Sequence, residues 1–329
     1  MTRRRIWIRK EPLGILFGRA WRVYRTKKQG FLFGVLAALL WAPHFYVVES
    51  LRPAKGVAGM PVLVAEFYFL LCGSVILLAL LFVSGRLSEL AVFKRRETHF
   101  LILAASGGYA FWLLRDAALA AISPAHAHLL FYSAPLLMGA LSLLTAERAD
   151  RRAVLGLLFG FVGGILILHR SGGAAASLQG SLLAVGAAAC WALFSVMARP
   201  IVREEKALPV AVLVMAIGAA CLLVTCLSRG ENILAVKVPQ LWTALLAGAL
   251  TVGLMMVFWL KCVGMVPVAL ASPLWYLALV FGIAWARWRG LSIAGWWALA
   301  GSVAILLGLH IALSGRRRTT VTIADIIRG

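Results

Sequence analysis

This chain predicts an all-α integral membrane protein with ten transmembrane helices, arranged as two inverted five-helix repeats. Three observations lead there. Hydrophobic residues make up 62% of the 329 residues and charged residues 14%. The apolar residues gather into runs of about 17–24, close to the roughly 20 that a helix needs to cross a hydrocarbon core of about 30 Å. Landmarks of the first five runs recur, in order, in the second five. Inside hydrocarbon each segment must satisfy its own backbone polar groups, so the runs are helices. No segment alternates for long, as the strands of a membrane β-barrel would.

Residues 1–29 form a basic segment. Pro12 suits a first helical turn. Over 12–28, Leu13, Leu16, Phe17, Ala20 and Tyr24 fall on one stripe, with Arg19, Arg22, Arg25, Lys27 and Lys28 largely off it. That pattern predicts an amphipathic helix lying along the cytoplasmic surface, as a topology anchor or a docking site. The first repeat, 30–169, holds runs at roughly 30–48, 61–83, 98–115, 121–144 and 153–169. The second, 180–314, holds runs at roughly 180–201, 208–227, 240–260, 264–286 and 292–314. Gly156, Gly160 and Gly164 are spaced by four in the fifth run, and Ala184, Ala188 and Ala192 in the sixth. Small residues on one face let a neighbouring helix approach closely. Pro43, Pro135 and Pro273 lie inside runs, where each removes a backbone donor and kinks the helix. Residues 315–329 form a tail whose apolar part, 319–327, is too short to span.

The net charge of +21 is mostly an asymmetry across the membrane. With the N-terminus inside, 25 of the 33 basic residues fall on the cytoplasmic side. The positive-inside rule therefore predicts cytoplasmic termini, with the basic residues against anionic lipid headgroups. This disfavours a nucleic-acid partner. No secretory signal is evident. Arginine outnumbers lysine 25 to 8, a bias that suits a GC-rich genome and a bacterial inner membrane. The five cysteines show neither metal nor disulfide spacing. There is no phosphate-binding glycine loop, no metal-ligand pattern and no nucleophile elbow. The chain is therefore not expected to be an enzyme or to carry a cofactor.

The repeat rests on paired landmarks. Gly30 and Trp41 correspond to Gly180 and Trp191, each pair eleven residues apart. Phe111-Trp112-Leu113 recurs as Phe258-Trp259-Leu260, Pro124 as Pro267, and His169 as His310. An odd number of spans per repeat inverts the second copy. Two inverted halves around a midplane site are a transporter architecture.

The residues also carry a family resemblance. The first run reads Gly34-Val35-Leu36-Ala37-Ala38-Leu39-Leu40-Trp41. The fourth begins with Ala118-Leu119 and Ser123-Pro124-Ala125 and continues to Pro135. Glu147, Gly156 and Gly163-Gly164-Ile165-Leu166-Ile167-Leu168 follow. Over roughly 30–314 this resembles the drug/metabolite transporter superfamily, specifically its ten-helix EamA-type members. The second half departs at Ala278, where the family pattern has a central proline, and at Trp285-Ala286-Arg287-Trp288-Arg289, where an acidic residue is expected. The resemblance implies export of a small metabolite and names no ligand.

Ionisable residues inside spans are costly and mark functional candidates. His44, Glu66, His126 and His128 fall in the outer half of the first repeat, with Glu49, Arg115 and Asp116 at its rim. A carboxylate at Glu66 would bind a cation or zwitterion, carry a proton, or pair with His44, His126 or a rim arginine. His128 shares a helix face with Tyr132, four residues on. Trp41 and Trp191 each lie about 16 Å from their helix starts at 1.5 Å per residue. They are expected to flank a central cavity that His44, Tyr109, Tyr132 and Tyr276 also line, with Glu66 above it. The expected substrate-binding set is thus Trp41, His44, Glu66, Tyr109, His128, Tyr132, Trp191 and Tyr276. With no arginine or lysine assigned to that depth, a multiply charged anion would fit poorly. The leading expectation is a secondary transporter exporting a small amphipathic, zwitterionic or cationic metabolite by alternating access, with protons as the candidate coupling ion. A lipid flippase and a non-transporting accessory subunit are the alternatives.

Overall fold

The structure, a computed structural model, describes residues 13–51, 59–145, 151–168, 177–290 and 295–314. Among the described residues every regular element is helical. They are α1 (Leu13–Trp41), α2 (His44–Leu51), α3 (Val62–Val83), α4 (residues 97–121), α5 (Pro124–Phe131), α6 (Ala134–Ser142), α7 (Arg151–Leu168), α8 (Leu178–Glu204), α9 (Ala207–Ser228), α10 (Val238–Met265), α11 (Val268–Trp288) and α12 (Gly295–Ser314). Eight helical stretches are long and apolar enough to cross a membrane: Lys27–Leu51, α3 and α7 to α12. The other two expected runs are helical as well, as α4 and as the pair α5 and α6. The stretch expected as a separate surface helix, 12–28, runs without a break into the first span, since α1 is continuous from Leu13 to Trp41. Glu147, His169 and the tail 315–329 lie outside the described residues.

Proline sets the breaks. Pro43 separates α1 from α2 at a two-residue turn. Pro135 sits in the first turn of α6, just after the Tyr132–Ser133 turn that ends α5. Pro273 opens a 3₁₀ turn, Ser272–Tyr276, inside α11. In each case a missing amide donor falls where helical bonding stops or tightens. Pi-helical turns mark α4 at Ala104–Ala110 and α10 at Gly248–Leu254. Such a turn interrupts the regular ladder, and in α4 the indole N–H of Trp112 donates to the carbonyl of Gly107 at 3.0 Å.

The tightest backbone approaches occur in matched pairs. A Cβ on Gly73 of α3 would strike the Gly248 carbonyl of α10, and one on Gly218 of α9 would strike the Gly108 carbonyl of α4. Between α7 and α12, Gly156 abuts Gly308 and Gly163 abuts Gly301, each facing the other's carbonyl oxygen. Gly30 in α1 lies against Val266 at the end of α10, and Gly180 in α8 lies against Ile122 at the end of α4. These are the close helix contacts that small residues permit in a bilayer.

At the end where the Gly30 contact closes, polar ties add to the packing. Arg199 of α8 donates to the carbonyls of Val263 and Val266. A helical elbow, residues 87–95, carries Glu89, which pairs with Arg86 at 2.8 Å and with Lys206 at the head of α9. Arg96 pairs with Glu204 at the end of α8. The Arg86 and Lys206 cations hold the Glu89 carboxyl down to about 2, from an ordinary value of 4.5.

Candidate functional site

Aromatic side chains from α1, α4, α8 and α11 meet in the middle of the molecule. Trp41 and Trp191, landmarks of the two repeats, stack with ring centroids 6.4 Å apart. Trp275 leans on both, at 5.7 Å from Trp41 and 5.1 Å from Trp191. The 3₁₀ turn at Ser272–Tyr276 is what aims Trp275 here. Trp259 supports the cluster from behind at 5.0 Å from Trp275, its indole N–H donating to Ser195 Oγ at 2.9 Å. Rings so arranged interact through offset and edge contacts worth about 0.5–1.5 kcal/mol per pair beyond burial.

A narrow cavity of about 20 Å³, room for about one water molecule, lies over this cluster. Its walls are Trp41, Phe111, Arg115, His128, Phe131, Tyr132, Ala134, Trp191 and Trp275. It lies beyond Trp41 from the end where α1 begins, on the side where α5 starts and α4 finishes.

Behind one wall lies a buried charge group. Glu66, one turn into α3, is 0% exposed, and Arg115 of α4 is 1% exposed. The two form an ion pair through Arg115 Nη1 and Glu66 Oε1. His44, also 1% exposed, places Nε2 3.8 Å from Glu66 Oε2. Its Nδ1 lies 3.0 Å from Thr251 Oγ1 on the π turn of α10, and its ring stacks on Trp41 at 4.4 Å. Thr251 and Trp41 therefore hold the imidazole in place from two sides. The group is incompletely satisfied. Arg115 Nη2, Glu66 Oε2, His44 Nε2 and Trp191 Nε1 are buried without a hydrogen-bond partner. Asp116, next along α4, pairs with Arg229 of α9 at 3.3 Å.

The expected site residues divide. Trp41, His128, Tyr132 and Trp191 line the cavity together. His44 and Glu66 lie behind its wall and reach it through Trp41 and Arg115. Tyr109 and Tyr276 stand apart. Tyr109 sits on the π turn of α4, which directs it to α9, where its hydroxyl lies 2.9 Å from Thr225 Oγ1. Tyr276 is buried with its ring against Gly160 of α7. The main correction concerns Arg115. Expected at a rim, it is buried at the cavity wall, because α4 continues to Ala121 beyond the expected end of the run. A cation therefore does lie at the depth expected to have none. Phe111, Phe131 and Trp275 are further lining residues outside the expected set. The signal for Arg115 lay in the apolar residues that resume directly after Asp116. Among the described residues no cluster of side chains has the makings of a metal site.

Known proteins fit this architecture. A family model described as the EamA-like transporter family matches residues 28–169 and 178–314. A relative from Bacillus subtilis (strain 168), described as the uncharacterized transporter YyaM, is 26% identical over 190 residues, covering 55% of this chain and 61% of the relative. The chain thus spans less than two thirds of that relative's length. A chain of known crystal structure superposes with a TM-score of 0.76 at 22% identity, over 89% of this chain and 99% of that one. At that identity the likeness shows the fold.

Proposed function

Because the chain belongs to the EamA-like transporter family and is a multi-pass membrane protein, we propose that it is a secondary transporter exporting a small metabolite by alternating access. The observation that carries this reading is the stack of Trp41 on Trp191 at the wall of one cavity. Each tryptophan comes from a different family-matched stretch, so the cavity lies where two halves meet. A substrate site at such a junction is reached from either face when the halves rock against each other.

The same reading takes α4 and the α5–α6 pair as two further spans, making ten, with residues 30–169 and 180–314 as inverted halves. The reciprocal contacts support it. Gly73–Gly248 and Gly218–Gly108 exchange partners between halves, as do Gly30–Val266 and Gly180–Ile122. A two-fold axis in the membrane plane relates such pairs. The charge asymmetry supports cytoplasmic termini, and the excess of arginine over lysine suits a bacterial inner membrane. The ties at Arg199, Arg96 and Lys206 then close the cytoplasmic end.

The aromatic wall suits an amphipathic ligand. Of the charge types expected, a lone cation fits worst, because Arg115 repels it and can receive a carboxylate. Vesicles reconstituted with the protein test the reading. Loaded with a mixed pool of small metabolites, they should exchange at least one of them in a protein-dependent way. Reorientation of a labelled lipid without metabolite flux would replace this reading with a flippase. Topology is tested by labelling cysteines placed at 171 and 319, which lie outside the described residues. The first should react only from outside and the second only from the cytoplasmic side.

A further inference from the structure

This inference deepens the transport reading and rests on it. Arg115 is buried, shares a wall with the aromatic cluster, and gives only one of its terminal nitrogens to Glu66. Its Nη2 and the indole Nε1 of Trp191, on the same cavity, are buried donors without partners. Both belong to residues that line one apolar cavity; a carboxylate is an acceptor for such donors, and leaving them unmade is costly. We infer that the transported molecule carries a single carboxylate that competes with Glu66 for Arg115, and that Glu66 takes up one proton as the substrate binds.

The proton follows from counting charge. Arg115⁺ with Glu66⁻ is neutral. Adding a substrate carboxylate leaves one net negative charge away from water, which is strongly disfavoured. One proton from the side facing the open cavity restores neutrality. It adds to a Glu66 carboxylate oxygen, the Arg115–Glu66 ion pair weakens, and an Arg115–substrate ion pair forms. No other bond changes. The other charged or titratable groups nearby are Asp116, Arg229, His44, His128 and Tyr132. Asp116 of α4 is held by Arg229. His44 of α2 is fixed by Thr251 and Trp41. His128 and Tyr132 face the cavity. A dianion such as a phosphate ester would leave two charges against one arginine and is excluded on the same count. Substrate and proton then cross together, and the larger of their two gradients sets the direction of net flux.

Calorimetry on the purified full-length protein in detergent, repeated in buffers of different ionisation enthalpy, reads both parts. The probes are phenylacetate and 3-phenylpropionate, with phenylacetamide, phenethylamine and phenyl phosphate as controls of similar body. The two carboxylates should bind at least about tenfold more tightly than the controls, with uptake of about one proton per ligand. Glu66→Gln should tighten carboxylate binding and abolish the proton uptake, a gain that loss of a merely structural contact would not give. Arg115→Gln should abolish binding. Should either variant fail to fold, the wild-type charge preference and proton count decide alone. Binding of amide or amine as tightly as carboxylate, no binding of either carboxylate, carboxylate binding without proton uptake, or uptake that persists in Glu66→Gln would each overturn the inference. The vesicle exchange separates it from the transport reading. Protein-dependent exchange only of metabolites lacking a carboxylate defeats this inference alone, whereas no exchange of any metabolite defeats both.

Discussion

Trp41 links the buried charge group to the cavity, stacking on His44 and Trp191 and leaning on Trp275. Trp41→Ala and Tyr132→Ala should each weaken substrate binding by about tenfold or more, about 1.4 kcal/mol. Trp296 is 62% exposed in α12 and away from the cavity lining, and Trp296→Ala should leave binding unchanged. Ligand-binding isotherms on monodisperse protein check the three, and equal losses would point away from the central cavity. Of the expected set, Trp41, His128, Tyr132 and Trp191 come together on one cavity. Trp41 and Trp191 could be found because their spacing from a helix start is a local property. Arg115 could not be placed, because a charge after an apolar run reads as the end of a span. What buries it is Glu66, 49 residues earlier on another helix, and a pairing across helices leaves no mark on local hydropathy. Tyr109 and Tyr276 were misplaced for a related reason. A π turn and a 3₁₀ turn rotate them off the face that regular helical spacing assigns.

Between elements, the glycine contacts and the ion pairs at the closed end differ in what they contribute. A methyl group at Gly218 would meet the backbone of Gly108, which has no side chain to move aside. Gly218→Ala should therefore cost about 1–3 kcal/mol, as overpacking does, and lower the thermal midpoint in detergent by several degrees. Gly85 presents open space but a φ of +64°, so Gly85→Ala should cost only about 1–2 kcal/mol of backbone strain. The Glu89 pairs are solvent-screened and contribute little. Their pH dependence has a definite sign. Glu89 is held low in the folded state, so its contribution is complete above the ordinary value near 4.5 and disappears as pH falls toward about 2. Glu89→Gln should flatten that limb of a stability–pH curve and change little at neutral pH. The apolar runs and the small-residue stripes could be read directly, since length and hydropathy are summed over many residues. The breaks inside them could be read only where proline announces them. The π turns have no such residue, and they exist because glycine backbones from two helices come together there.

Across the molecule, large apolar side chains stand exposed on the described helices. Leu144, Leu182, Val83, Leu299 and Phe82 are each more than 60% exposed, on a chain whose five cysteines form no disulfide. Such a surface belongs in lipid, where exposed leucine is at no disadvantage. The protein should therefore remain monodisperse in detergent or nanodiscs and aggregate on detergent removal, as size-exclusion chromatography would report. The exchange of contacts between Gly30–Val266 and Gly180–Ile122 has an energetic consequence. If tightening one end uses the same kind of joint that loosens at the other, the two end states are nearly degenerate. The gap between them is then set only by the residues that differ across the axis. A population split by so little is moved by little, because about 1.4 kcal/mol shifts the ratio tenfold. A methyl group at Gly30 would wedge open its own end, and one at Gly180 would wedge open the other. Gly30→Ala and Gly180→Ala should therefore tip the same balance in opposite directions, visible as opposite changes in cysteine accessibility from the two sides. The double variant should swing back toward the wild-type balance while losing stability at both ends.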